Sequence, residues 1–511
     1  MVRVFCLLLA ACSMTPAAVS ASSPRGASMM LVESPKPTNF AEAHQIYSRS
    51  KSIGMYTRSR AGIRSSLLTP VLLNSPPSSS NSYRFTATPE EYGGDPTGSM
   101  DSTAAVKAAV EALLNRTASS IPPMASGIVN VGGASLDLAG GAYLISQPVQ
   151  VPSYVGNFHI GGGGTLLASK TFPEDKYLIE IGSKETCQPK DNQKVCNEYI
   201  TVSDIFLDAA HTSAGGIHVV MTMGTTVTNS FVTGFNRVGI LIDQGHETMV
   251  SECWVAEYYW SENHPKEECS SSSGSVGILI NGQDNIVSDV IIFDFTCLGV
   301  RVNGAANLLH GVHSWNGGGT AISVNGSYDI QDRVIDCYLD YSTLEIVQPR
   351  YVLVQGNFFY NAHTTLVPSS GGDQPVAWLT MKDNIYSLNQ YGGNKSVVVP
   401  MGTKCMLVDI VDEINANQGK RDSSTVLQTR LKRSIQLDGR SGGQTEYVFN
   451  FANRLIFGNI DWVSYTLVQN DGYESIVSHV AHRVNGTAIK VVLSRPVAGT
   501  LYMEVAECTN S

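Results

Sequence analysis

At 511 residues the chain is too long for one compact globule, but it suits a single elongated repeat domain. Charged residues make up only 15%, and 47 glycines are present, a supply that fits many tight turns. The formal net charge of -10 argues against nucleic acid as a partner, and an acidic ligand would need a local basic patch.

The N-terminus reads as a signal peptide over residues 1–21. Arg3 supplies the positive start, Val4 to Ala11 the apolar core, and Val19-Ser20-Ala21 the small-residue cleavage site. This run is too short to span a membrane. No later stretch approaches about 18 apolar residues, so a secreted protein without membrane contact is expected. Residues 22–82, rich in Ser, Pro and Arg, read as a flexible leader. The folded part begins near Phe85. There Asp101 is a good N-cap for an Ala-rich amphipathic stretch, Ala104 to Leu114, which predicts one helix closing the end of a solenoid.

A repeat follows. Gly216–Val220, Gly239–Asp243, Gly277–Asn281, Gly299–Asn303 and Ala321–Asn325 are short β-branched strands starting 23, 38, 22 and 22 residues apart. The long interval is one rung plus a loop, Tyr258 to Ser275, and a weaker copy, Leu344–Gln348, comes 23 residues after the last. This period predicts an all-β fold, a right-handed parallel β-helix over residues 83–394. Alternation aims Ile240 and Ile242, Ile278 and Ile280, Val300 and Val302 into the core. Asp243, Asn281, Asn303 and Asn325 close the strands and predict a hydrogen-bonded ladder without chemistry.

A second strand in each rung carries the candidate chemistry. Its alternation sends Cys253, Val290, Val312 and Cys337 inward. It puts Glu252, Asp289, Gly311 and Asp336 in one outward column, with Trp254, Ile291, His313 and Tyr338 beside it. Rungs lie about 4.8 Å apart, so Asp289 and Asp336 stand roughly 10 Å apart at the backbone. Leaning side chains bring that near the roughly 6.5–9.5 Å between the two carboxyls of an inverting glycosidase. Asp289, Asp336, Glu252 and His313 are therefore the candidate catalytic residues. His246, Glu247, Asp284, Asp294, Arg301, Arg333, Trp254 and Tyr338 are candidate substrate contacts. The arginines suit sugar carboxylates and the aromatics suit sugar rings. The loop opening Tyr258-Tyr259-Trp260 could overhang the groove.

Past about residue 395 the beat fades, and residues 395–511 predict a smaller β-rich cap. Eight cysteines remain after the signal, an even number that suits an oxidising compartment. Cys187 with Cys196, Cys253 with Cys269, Cys297 with Cys337 and Cys405 with Cys508 are the expected pairs. Asn115, Asn325, Asn394 and Asn485 head glycosylation sequons. No Cys/His cluster suggests zinc, and neither a metal nor another cofactor is expected.

The run Tyr92-Gly-Gly-Asp95-Pro-Thr-Gly98, with Asp101-Ser102, resembles the opening of pectate-lyase-superfamily β-helices. Further segments resemble plant quartet-type polygalacturonases: Leu136 to Gly141, Gly163 to Ala168, Gly245-His-Glu-Thr248, Asp284-Asn285 through Asp289, Gly311-Val-His313 and Cys337 to Tyr341. The likeness runs from about Phe85 to the end. It implies a hydrolase of α-1,4-linked galacturonan in pectin, acting as a monomer. Typical glycoside hydrolases of family 28 carry Asn-Thr-Asp, Asp-Asp, Gly-His-Gly and Arg-x-Lys on successive rungs. This chain departs from that set, with Gly245-His-Glu where Gly-His-Gly would be sought. Two alternatives stand beside hydrolysis: a Ca²⁺-dependent pectate lyase with Arg301 or Arg333 as base, and a non-catalytic wall-binding protein.

Overall fold

The computed structural model describes residues 85–115, 121–124, 127–188, 195–257, 275–293, 297–315, 319–326, 330–368, 375–387, 396–400, 403–414, 428–440, 443–470 and 476–509. The expected signal peptide and leader, the loop opening at Tyr258 and Asp294 lie outside these residues.

The repeat strands form a ten-stranded parallel sheet running from Val149–Val151 to Val397–Val398. Ile217, Ile240, Ile278, Val300, Ile322 and Leu344 follow one another in register. All six are fully buried. The inward alternation is thus as the spacing predicts, and each such side chain contributes roughly 1.5–3 kcal/mol of burial. The remaining strands of the coil pair in parallel into a second sheet of 23 strands, and the fold is a right-handed parallel β-helix. One rung shows the plan: Val276–Ile280, a turn, Ile286–Ser288, a single bend, then Ile291–Phe293.

The helix Thr103–Asn115 buries Val106, Ala109, Val110 and Leu113 in the same core as the first rungs. Asp101 accepts the Thr103 N–H, leaving Ser102 to accept the first helical bond from Val106. The parallel ladder continues to Cys405–Ile414. Two three-stranded antiparallel sheets follow, with a core of their own around Phe449, Phe451, Val491, Leu501 and Val505.

Cys187–Cys196 and Cys405–Cys508 are disulfides, as expected. The other two expected pairs do not form. Cys253 and Cys337 are buried free thiols, and Cys297 is disulfide-bonded but not to Cys337. Alternation is the reason, because it aims both free thiols into the packed core, where burial pushes each up to about 12.

Candidate functional site

Two corners recur along the coil at residues with positive φ. The second corner separates the last two strands of a rung, and its column runs Asp204, Asn229, Glu252, Asp289, Gly311, Asp336, Gly356, Asp383, with φ between 47° and 69°. The register of the flanking strands aligns these residues rung by rung. Glu252, Asp289 and Asp336 therefore do share an outward column, with Trp254, Ile291, His313 and Tyr338 beside them. The backbone accounts for most of its composition, since Asp, Asn and Gly are the residues that tolerate this conformation. Asp289 leans over Gly311, where an added Cβ would stand 3.0 Å from its Oδ1. Asp336 leans over Gly356 in the same way, at 2.2 Å. Both lean the same way along the coil, so the two-rung gap of roughly 10 Å is not closed.

The histidine beside this column is His310, whose Nε2 is 3.7 Å from Asp336 Oδ2. His313, one of the candidate catalytic residues, stacks on Tyr338 with ring centroids 4.6 Å apart and planes 11° apart. Its Nε2 is buried without a hydrogen-bond partner, and burial pulls its pKa down to about 4, so the ring is neutral above that pH. Trp254 lies against Phe231, with centroids at 6.1 Å, and meets Phe293 edge-on at 5.8 Å. The rings of Trp254 and Tyr338 thus turn one face each along the coil axis onto a neighbour, which leaves little face for a sugar. They extend a structural ladder that starts at Phe206 and Phe231.

The first corner precedes the second strand of each rung. Its column runs Tyr199, Gly224, Glu247, Asp284, Ala306, Gln331, Tyr351, Trp378, Leu407. All of these except Gln331 have φ between 47° and 65°. Here the residues are mostly ones that resist the conformation. Each L-residue other than Asn, Asp or Gly held there costs on the order of 1–2 kcal/mol. Strain of this kind clusters at binding and catalytic positions.

Three candidate residues converge in this corner. His246 sits between Met223 and Gln283 on neighbouring rungs. Its Nδ1 is 3.5 Å from Asp284 Oδ2. One donor atom each from His246, Glu247 and Asp284 lies within 4.8 Å of the others. Glycines make the close stacking possible. A Cβ on Gly282 would stand 2.1 Å from the Gly245 carbonyl oxygen, and one on Gly304 would stand 1.6 Å from that of Gly282.

Behind the corner lies a buried ladder. Asn285 accepts the Thr248 N–H at 3.0 Å, Asn307 accepts that of Asn285 at 3.1 Å, and Asp332 accepts that of Asn307 at 2.9 Å. The sequence carries a signal for this: Gly245-His-Glu-Thr248, Gly282-Gln-Asp-Asn285 and Gly304-Ala-Ala-Asn307 recur one per rung. In the ladder expected at Asp243, Asn281, Asn303 and Asn325, Asn303 donates to Asn281 at 2.9 Å.

Asp243 is engaged differently. Lys184, from a loop two rungs earlier, pairs with it, and His218 Nε2 lies 3.9 Å away, beyond hydrogen-bond range. These contacts hold the Asp243 carboxyl below its usual range. Spacing could not have found Lys184, because it enters from outside the repeat. Arg301 stands outward on the ten-stranded sheet, in register with Leu279 of the preceding rung. Arg333 stands exposed on the 23-stranded sheet, in register with Leu308, so the two arginines lie on different faces.

The corner can do two kinds of chemistry. Two carboxylates this close to an imidazole can divide acid and base roles. The same donor set could also hold one divalent cation.

No family model matches the chain. Polygalacturonase QRT3 of Arabidopsis thaliana is 31% identical to it over 421 residues, 81% of this chain and 82% of that protein. Among solved structures, ORF18 of Geobacillus virus E2 is similar at a TM-score of 0.53 and 12% identity, covering 81% of this chain and 77% of that one. That likeness concerns the fold alone.

Proposed function

The chain belongs to the polygalacturonase family that Polygalacturonase QRT3 represents, and from that premise we propose a secreted hydrolase of α-1,4-galacturonan in pectin. The observation that carries the reading is the convergence of His246, Glu247 and Asp284 within 4.8 Å in a corner where Glu247 is held against its backbone preference. Glu247 and Asp284 act as acid and nucleophile, because oxygens within 4.8 Å of each other leave no room for a water between them. One carboxylic acid protonates the leaving glycosidic oxygen while the other carboxylate attacks the anomeric carbon, and the first residue then takes a proton from the water that releases the sugar. His246 holds Asp284 in place. The signal-like N-terminus and the disulfides Cys187–Cys196 and Cys405–Cys508 support an extracellular setting.

Release of reducing ends from polygalacturonate tests this. Glu247→Gln and Asp284→Asn should each lower the rate at least about 100-fold, the usual worth of a general acid or base. Asp289→Asn and Asp336→Asn should leave it nearly unchanged. If Asp289→Asn abolishes release while Glu247→Gln does not, the chemistry sits in the second corner, as the outward column alone suggests.

The cation-sized spacing of the same three donors favours one second reading, a lyase in which Ca²⁺ bridges carboxylates and substrate. An unsaturated product absorbing in the near ultraviolet, lost on adding a chelator, would select it.

A further inference from the structure

We infer that Tyr199 is a sugar-stacking subsite of the first corner, so that a galacturonan chain lies along the coil axis across Glu247 and Asp284. The direction of that chain rests on the carboxylate assignment above, whereas the subsite itself rests on Tyr199. Tyr199, Gly224, Glu247 and Asp284 occupy the same corner on successive rungs. Two rung spacings put Tyr199 roughly 10 Å from Glu247. Gly224 stands between them and offers no side chain to block the line.

The tyrosine itself is the unusual choice. It has φ 55° and is 63% exposed. A bulky residue there is held against its backbone preference, at a place where Gly or Asn would fold more cheaply. Other aromatic residues in left-handed backbone have a structural reason. The Tyr154 hydroxyl donates to the Gln188 carbonyl at 2.8 Å and accepts the Gln188 N–H at 3.1 Å. Tyr351 and Trp378, further along the first corner, stack on each other at 4.8 Å with planes 4° apart. Among the described residues no ring contact and no side-chain hydrogen bond ties Tyr199 to the fold. An exposed ring face, presented at a cost in backbone energy and aligned with a carboxylate pair, suits the apolar face of a pyranose.

The test uses the full chain, decagalacturonate as probe, and the variants Tyr199→Gly and Tyr199→Phe. Binding is read by retardation in an oligosaccharide-containing gel, turnover by reducing ends, and folding by the thermal midpoint. Tyr199→Gly should weaken decamer binding about tenfold and raise KM by the same factor with kcat unchanged. It should also raise the unfolding midpoint, because glycine relieves the backbone. Tyr199→Phe should behave as the native chain, since the ring and not the hydroxyl does the stacking. Native decamer binding by Tyr199→Gly overturns the subsite, and so does a parallel loss of binding and thermal stability, which marks a structural role. The two readings fail separately. An active Glu247→Gln together with weak binding by Tyr199→Gly removes the carboxylate assignment and keeps the subsite. An inactive Glu247→Gln together with native binding by Tyr199→Gly does the reverse.

Discussion

The two left-handed corners that recur along the coil place the same demand on the backbone and are filled in contrasting ways. The second corner carries Asp204, Asn229, Asp289, Gly311, Asp336, Gly356 and Asp383, residues suited to positive φ, with Glu252 as its exception. The first carries Tyr199, Glu247, Ala306, Tyr351, Trp378 and Leu407, which are not, with Gly224 and Asp284 as its exceptions. A column of acids is therefore weak evidence for chemistry when the backbone asks for those acids anyway. A costly residue in the same conformation is better evidence, because something other than folding must retain it.

Four measurements can break or sharpen this contrast. The largest effect is catalytic: the rate of reducing-end release should separate Glu247→Gln from Asp289→Asn by about 100-fold.

Next comes the ladder behind the first corner. Asp332 is 2% exposed, and burial raises its pKa from 3.8 to about 6. The raised value means that its stabilising protonated form is complete below about pH 3.8 and is lost as pH rises through about 6. Asp332→Asn repeats the residue found at 285 and 307. It should stabilise the fold by roughly 3 kcal/mol at pH 7 and by almost nothing at pH 3.5, as read by denaturant unfolding at the two pH values. A gain equal at both values would show that the fold does not raise the pKa of Asp332.

A smaller pair of opposite shifts compares the corners directly. Glu247→Gly should raise stability by about 1 kcal/mol. Gly356→Ala should lower it by about 1–2 kcal/mol, since its Cβ would meet the Asp336 carboxylate at 2.2 Å. Equal signs in chemical unfolding would remove the distinction between the columns.

The smallest effect is an expected silence. His313, pulled down to about 4 by burial, does not titrate between pH 5 and 8. His313→Phe keeps a ring on Tyr338 and should leave the pH–rate curve over that range unmoved. A displaced limb would put His313 back among the groups that tune the carboxylates.

Much of this was legible in the residues. The period of about 22 and the alternation within each strand fix which side chains face the core, because a one-residue slip would turn every Ile and Val outward. The same register correctly made neighbours of Glu252 and Asp289, and of His313 and Tyr338. The disulfide expectation failed for Cys253 and Cys337, both of which that alternation aims into the core.

What the sequence determined by itself is therefore the coil, its core and the column of Glu252, Asp289 and Asp336, all consequences of a local period. Tertiary structure alone decided which column bears strain, since positive φ leaves no mark in a hydrophobic pattern. It also decided which residues from distant rungs meet there. Lys184 reaches Asp243, and Tyr199 aligns with Glu247, only because successive rungs stack about 4.8 Å apart, a proximity that separation along the chain does not encode.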